Sequence, residues 1–327
     1  MGADDNRAMT ASASSDSALH GALRLPALGV IRAGGADAAA FLHGQLTNDI
    51  LGLGPHEARL AGYCSAKGRL LASFVVWRSG ADLLLACSAD LLAPTLKRLR
   101  MFVLRAKCSL SDASAELPLW GLAGAGAQQW LGDAAPERPG STARHGAATI
   151  VRLPDAAGVP RFLCAGLDAP PPLPALESGA WDWLEVRSGV ARIVAATAER
   201  FVPQMLNYEL IGGVDFHKGC YPGQEVVARS QYRGTIKRRS LLFELTGPPP
   251  APGTEVFHSD DPGQPAGTVV LAAASPQEGA TARSLALVEI KLAALASGDL
   301  RLASPEGPAL AALAMPYELP REASAEA

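Results

Sequence analysis

Lys218-Gly219-Cys220-Tyr221-Pro222-Gly223-Gln224-Glu225 crowds a cation, a thiol, a phenol, an amide and a carboxylate into one short run punctuated by two glycines. Proline is favoured in the first helical turn, so a helix is expected from about Pro222 through Val226, Val227 and Arg229 to Tyr232, with Gly234 as its stop. Cys220 then sits just before the helix N-terminus, where unpaired backbone N–H groups and the positive end of the macrodipole favour an anion, and Lys218 adds a cation. An accessible sulfur there should be enriched in thiolate, which makes Cys220 the candidate catalytic residue. The bland alternative is a small buried hydrophobe among glycines that serve only tight turns. Packing alone, however, needs no such concentration of donors, acceptors and a nucleophile.

Upstream of this run, a short strand is expected over 29–33, then a helix N-capped by Asp37 that carries Phe41 and Leu42 and fades at Gly44. Two apolar runs, 70–77 and 83–87, flank Ser79-Gly80 and read as a hairpin. Leu92, Leu96, Leu99 and Val103 recur at helical spacing, with Lys97, Arg98 and Arg100 opposite. That order predicts an α+β fold in which helices cover one face of a largely antiparallel sheet. Residues 133–146 and the Pro-rich run 169–174 read as loops, and a helix over 180–188 should end at Gly189. Beyond Arg239, strands over 241–245, 267–271 and 284–290 separated by Pro/Gly clusters predict a small C-terminal β-barrel. There is no internal repeat. Residues 1–22 and 321–327 are expected to be disordered tails, the stretch after Tyr317 is expected to fray, and the domains are placed at 23–235 and 236–320.

The run at 218–225, followed by Arg229 and Arg233-Gly234, resembles the signature of the YgfZ family of folate-binding proteins, relatives of the glycine-cleavage aminomethyltransferase. The resemblance extends to Phe41-Leu42-His43-Gly44-Gln45-Leu46-Thr47-Asn48-Asp49, to Cys64-Ser65-Ala66-Lys67-Gly68-Arg69, and to Phe201-Val202-Pro203-Gln204 with Asn207. It implies a multi-domain ring of α/β lobes, two of them intertwined within 23–235, around a central tetrahydrofolate pocket. It also implies a role in building or maintaining iron-sulfur proteins, including radical enzymes that modify tRNA. On this resemblance Trp181, Trp183, Asn48, Gln204, Tyr221, Gln224, Glu225, Arg229 and Arg233 are the candidate folate-binding residues, with Lys218, Gly219 and Gly223 completing the motif. Trp181 and Trp183 lie about 200° apart around a helix, so one of them should face the pocket; an indole plane suits a pterin, and a core anchor is the alternative.

The chain also departs from the family pattern. The catalytic acid of the aminomethyltransferases falls here at Leu71 or Ala72, an N-terminal folate-contacting tryptophan falls at Leu28, and a glutamate before the glycine falls at Arg187. Arg229, Arg233, Lys237, Arg238 and Arg239 form a basic run that is either a solvated face or, at Arg229 or Arg233, a partner for the folate carboxylates. His43 and His217 are expected to be structural.

Composition bounds the rest. The chain has 327 residues, is 48% hydrophobic and 19% charged, and carries a formal net charge of -3, a poor match to a direct nucleic-acid binder. It holds no apolar run of membrane-spanning length. Five widely spaced cysteines without close pairs argue against a zinc site and for a reducing, cytoplasmic setting. A monomer that binds folate and meets iron-sulfur client proteins is the leading expectation. A folate-dependent aminomethyltransferase or demethylase and a non-enzymatic client-binding module are the alternatives.

Overall fold

A computed structural model describes residues 18–167, 169–232, 236–276 and 282–320. The N-terminal lobe runs β1 (Gly21–Arg24), β2 (Leu28–Gly34), α1 (Ala38–His43), β3 (Ala58–Cys64), β4 (Leu70–Ser79), β5 (Asp82–Ser88), α2 (Ala89–Val103) and β6 (Ser109–Asp112). Strands β2 to β6 form one antiparallel sheet in the order β3-β4-β5-β2-β6. The expected hairpin is β4–β5, with Ser79 opposite Asp82 and Gly80 in the turn at φ +61°. Helix α2 forms because Leu92, Leu96 and Leu99 fall on one stripe; that stripe packs with Ile31, Phe74 and Leu85 into one core, while Lys97, Arg98 and Arg100 stay outside.

The middle lobe contains β7 (Leu119–Ala123), α3 (Ala125–Leu131), β8 (Thr142–His145), β9 (Ala148–Ala156), β10 (Val159–Ala165) and α4 (Ser178–Arg187). Its sheet has the order β1-β7-β10-β9-β8. The third lobe follows α5 (Gln224–Tyr232) with β11 (Arg238–Thr246), β12 (Glu255–His258), β13 (Asp261–Ala274), β14 (Arg283–Lys291), β15 (Leu300–Leu302) and β16 (Leu310–Leu313), in the order β15-β12-β13-β14-β11-β16. This sheet curls into a half-barrel, and Arg301 of one edge strand bridges Ala309 beside the other. Helix α4 joins two lobes: Trp181 and Leu184 enter the middle core, Val186 enters the core under the C-terminal sheet, and Trp183 touches both.

Four expectations are corrected. Residues 133–146 are not all loop, because β8 pairs with β9 from Thr142 to His145; a strand this short and polar carries no usable alternation. Asp37 stands at the N-cap position of α1 as expected, but its carboxylate makes no cap hydrogen bond and instead accepts from the backbone N–H of Lys107 at 2.7 Å. β1 begins at Gly21, inside the stretch taken as a tail, because its partner β7 comes from far along the chain. The Pro-rich run straps this strand, with Ala22 N–H donating to Pro174 O at 2.9 Å. Finally, α5 begins at Gln224, since Gly223 takes a left-handed φ of +78° and leaves Pro222 in a turn.

Candidate functional site

Cys220 is exposed, while Cys64, Cys87 and Cys164 are buried and Cys108 is half-buried. The turn Tyr221-Pro222-Gly223 separates Cys220 from α5, so the sulfur stands off from the helix entrance. Lys218 turns its ammonium inward, donating to Leu46 O at 2.7 Å and to His43 O, with the Tyr221 ring 5.0 Å away. Burial pulls this lysine down to about 8 against the opposing charges of Asp49, Asp215 and Cys220.

The other quoted segments converge on this loop through hydrogen bonds and close packing. Thr47 Oγ1 donates to Gly213 O at 2.6 Å and accepts from Gly62 N–H at 2.7 Å. Asn48 Nδ2 donates to Leu60 O at 2.7 Å and Gly212 O at 2.6 Å. Gln204 Nε2 donates to Val227 O at 2.7 Å, which fixes α5. Asn207, left-handed at φ 61°, donates to Ser240 O and accepts from Arg239, which pairs with Glu209 at 2.8 Å. Much of the signature is therefore a clamp that ties the N-terminal lobe to the segment before α5, and that segment to the C-terminal sheet.

A separate cavity of about 690 Å³ lies between the N-terminal and middle sheets, α4 and the segment after β16. Its apolar lining includes Leu28, Leu60, Phe74 and Leu163, and its polar lining includes Asn48, Arg161, Glu185 and Arg192. Trp181 also lines it but is only 4% exposed, because the indole fills the space left by Gly121. It is a core anchor at the cavity edge, and Trp183 is not among the lining residues. Glu185 accepts from Arg192 Nε at 2.7 Å and Nη2 at 2.9 Å. Burial pushes its carboxyl upward, yet Arg192 and then Arg161 hold it below the usual range.

Of the expected folate contacts, Asn48 and Trp181 line the cavity, whereas Gln204, Tyr221, Gln224, Glu225 and Arg229 do not; neither do Cys220, Lys218, Gly219 and Gly223. Glu225 and Arg229 pair with each other one turn apart on the exposed side of α5, because their i,i+4 spacing favours it. Arg233 lies outside the described residues. The basic run is neither a simple solvated face nor a cavity wall: Arg238 pairs with Glu289 and Arg239 with Glu209. Leu28, where the resemblance places a tryptophan, does line the cavity; Leu71, Ala72 and Arg187 do not.

Sequence reasoning missed Glu185, Arg192 and Arg161. Glu185 was within reach, since it falls four residues after Trp181 on the same helical face. The two arginines gave no such signal, because Arg192 lies in the irregular segment after α4 and Arg161 interrupts an apolar strand.

Among the described residues no helix is long and apolar enough to cross a membrane. No protein-family model matches the chain. It is similar to the tRNA-modifying protein YgfZ of Edwardsiella ictaluri, 36% identical over 66% of this chain and 68% of that protein. It is likewise similar to the tRNA-modifying protein YgfZ of Colwellia psychrerythraea, 32% identical over 73% of this chain and 74% of that protein. In structure it resembles the glycine cleavage system aminomethyltransferase T from Bartonella henselae, with a TM-score of 0.69 at 16% identity over 92% of this chain and 87% of that one, a likeness of fold alone. By its identity to these relatives and the lengths matched, the chain belongs to the YgfZ family.

Proposed function

We propose that this protein binds tetrahydrofolate, or a one-carbon derivative of it, in the central cavity. On this reading it acts in the cytoplasm as an accessory factor for assembly or repair of iron-sulfur proteins, including tRNA-modifying radical enzymes, with Cys220 as its key reactive residue. The observation that carries the reading is the cavity itself: about 690 Å³, mostly apolar, with Arg161, Asn48 and Glu185 on its wall. A ligand with a flat heteroaromatic body and an acidic end suits such a lining, and the volume lies in the range of small-molecule sites. The relatives' name, tRNA-modifying protein, supports the RNA-modification side. An exposed Cys220 outside the cavity supports separate roles for pocket and thiol.

Calorimetry with tetrahydrofolate tests the pocket, and the activity of iron-sulfur enzymes in a deletion strain tests the role. Cys220→Ala is expected to fail in rescuing that strain while binding tetrahydrofolate as the wild type does. Absence of folate binding together with intact iron-sulfur activities in the deletion strain would refute the proposal. The positions assigned to the aminomethyltransferase acid hold Leu71 and Ala72, neither of which titrates, so aminomethyl transfer is not expected.

A further inference from the structure

Arg161 is 3% exposed and lines the cavity. Its side chain donates Nε to Pro154 O at 3.0 Å and lies with its guanidinium carbon 5.6 Å from the centre of the Trp181 ring. Among the described residues no carboxylate forms an ion pair with it. The two acids nearest in effect are engaged elsewhere: Glu185 is held by two nitrogens of Arg192, and Asp155 pairs with Arg152. The other arginines of the lining, Arg59, Arg152 and Arg192, each have a carboxylate ion-pair partner, and Arg161 has none. Buried charges are normally paired, because removing an ion from water without a partner is costly. Burial accordingly pulls Arg161 down to about 10, opposed by Glu185 and Asp155. Arg152 lines the same cavity but is neutralised by Asp155, with its guanidinium 4.8 Å from the Phe162 ring.

We propose that Arg161 is a carboxylate subsite inside the cavity, binding the acidic group of a ligand whose aromatic body lies against Leu28, Leu60, Phe74 and Leu163. The planar fork of arginine matches a carboxylate with two parallel hydrogen bonds, and the seat over Trp181 holds it ready. The subsite deepens the folate reading and rests on it only for which acid is bound, namely the glutamate end of tetrahydrofolate.

The test is calorimetry on the full chain with three probes: tetrahydrofolate, a tetrahydropterin lacking the p-aminobenzoylglutamate, and p-aminobenzoylglutamate alone. Arg161→Met is expected to weaken tetrahydrofolate and p-aminobenzoylglutamate about tenfold or more, the worth of a charge-assisted pair, and to leave the tetrahydropterin unchanged. Thermal melting separates this role from a structural one, since free Arg161→Met should melt no lower than wild type while losing the stabilisation that p-aminobenzoylglutamate confers. Should Arg161→Met fail to fold, Arg161→Lys carries the test with a smaller loss confined to the two acidic probes. A loss common to all three probes, or no loss, overturns the subsite. Wild type that binds p-aminobenzoylglutamate through Arg161 but not tetrahydrofolate overturns the folate reading alone; wild type that binds neither overturns both.

Discussion

Gly223 and Gly68 meet backbone to backbone: a methyl group on Gly223 would lie 2.6 Å from Cα and N of Gly68 and 2.4 Å from Ser65 O. Both residues are left-handed, at φ +78° and +70°. Two segments far apart in sequence dock here because neither carries a side chain. Gly223→Ala is therefore expected to cost roughly 2 kcal/mol or more from strain and overlap. Gly219→Ala, whose methyl would sit 3.5 Å from His43 Nε2, should cost less than about 0.5 kcal/mol. Urea denaturation of both variants decides, and equal midpoints would contradict the packing argument.

Glu185 and Arg192 are each 19% exposed and doubly hydrogen-bonded. Removing one partner by Glu185→Gln should cost roughly 2 to 3 kcal/mol, below the figure for a fully buried pair. Because the folded-state pKa of Glu185 lies under the ordinary 4.5, its contribution is whole above about pH 4.5 and fades as the pH falls further. The stability difference between wild type and Glu185→Gln should shrink on acidification below that point, and a constant difference would rule the linkage out.

Lys218 has the same sense in a higher pH range. Burial lowers it from 10.5 to about 8, so between those values the unfolded chain binds more protons and this residue's contribution grows as pH rises. Buried thiols and tyrosines, pushed upward by burial, work against it above about pH 9. The quantity to measure is thus wild type against Lys218→Met from pH 8 to 10, where the wild type should gain relative to the variant. Parallel profiles would show that the lysine is not desolvated.

Native-state alkylation should modify Cys220 first. Burial pushes Cys64 and Cys87 up to about 12 and Cys164 higher, and raises half-buried Cys108 too. Mass spectrometry after a short iodoacetamide pulse at pH 8 should find a single modified position, absent in Cys220→Ala. Equal labelling at Cys108 would remove Cys220 from its special place.

The residues that made the fold readable were those whose pattern is local: the leucines of α2, the hairpin around Gly80 and the Pro/Gly-bounded strands of the third lobe. β1 and β8 were illegible because each owes its existence to a partner strand rather than to its own alternation. At the site, the motif marked Cys220 and the clamp built from Asn48, Gln204 and Gly223, yet the cavity wall depends on which side chains three lobes bring together. Arg161 and Arg192 reach it from separate elements, and no short-range spacing announces that.

Tyr317, beyond the final strand, lines the cavity along with Leu28 near the first, and its hydroxyl donates to Gly189 O at 2.9 Å while accepting from Asn207. The chamber wall is thus closed by residues distant in sequence, and replacing Tyr317 by alanine would unfasten that closure while leaving every strand named above in place.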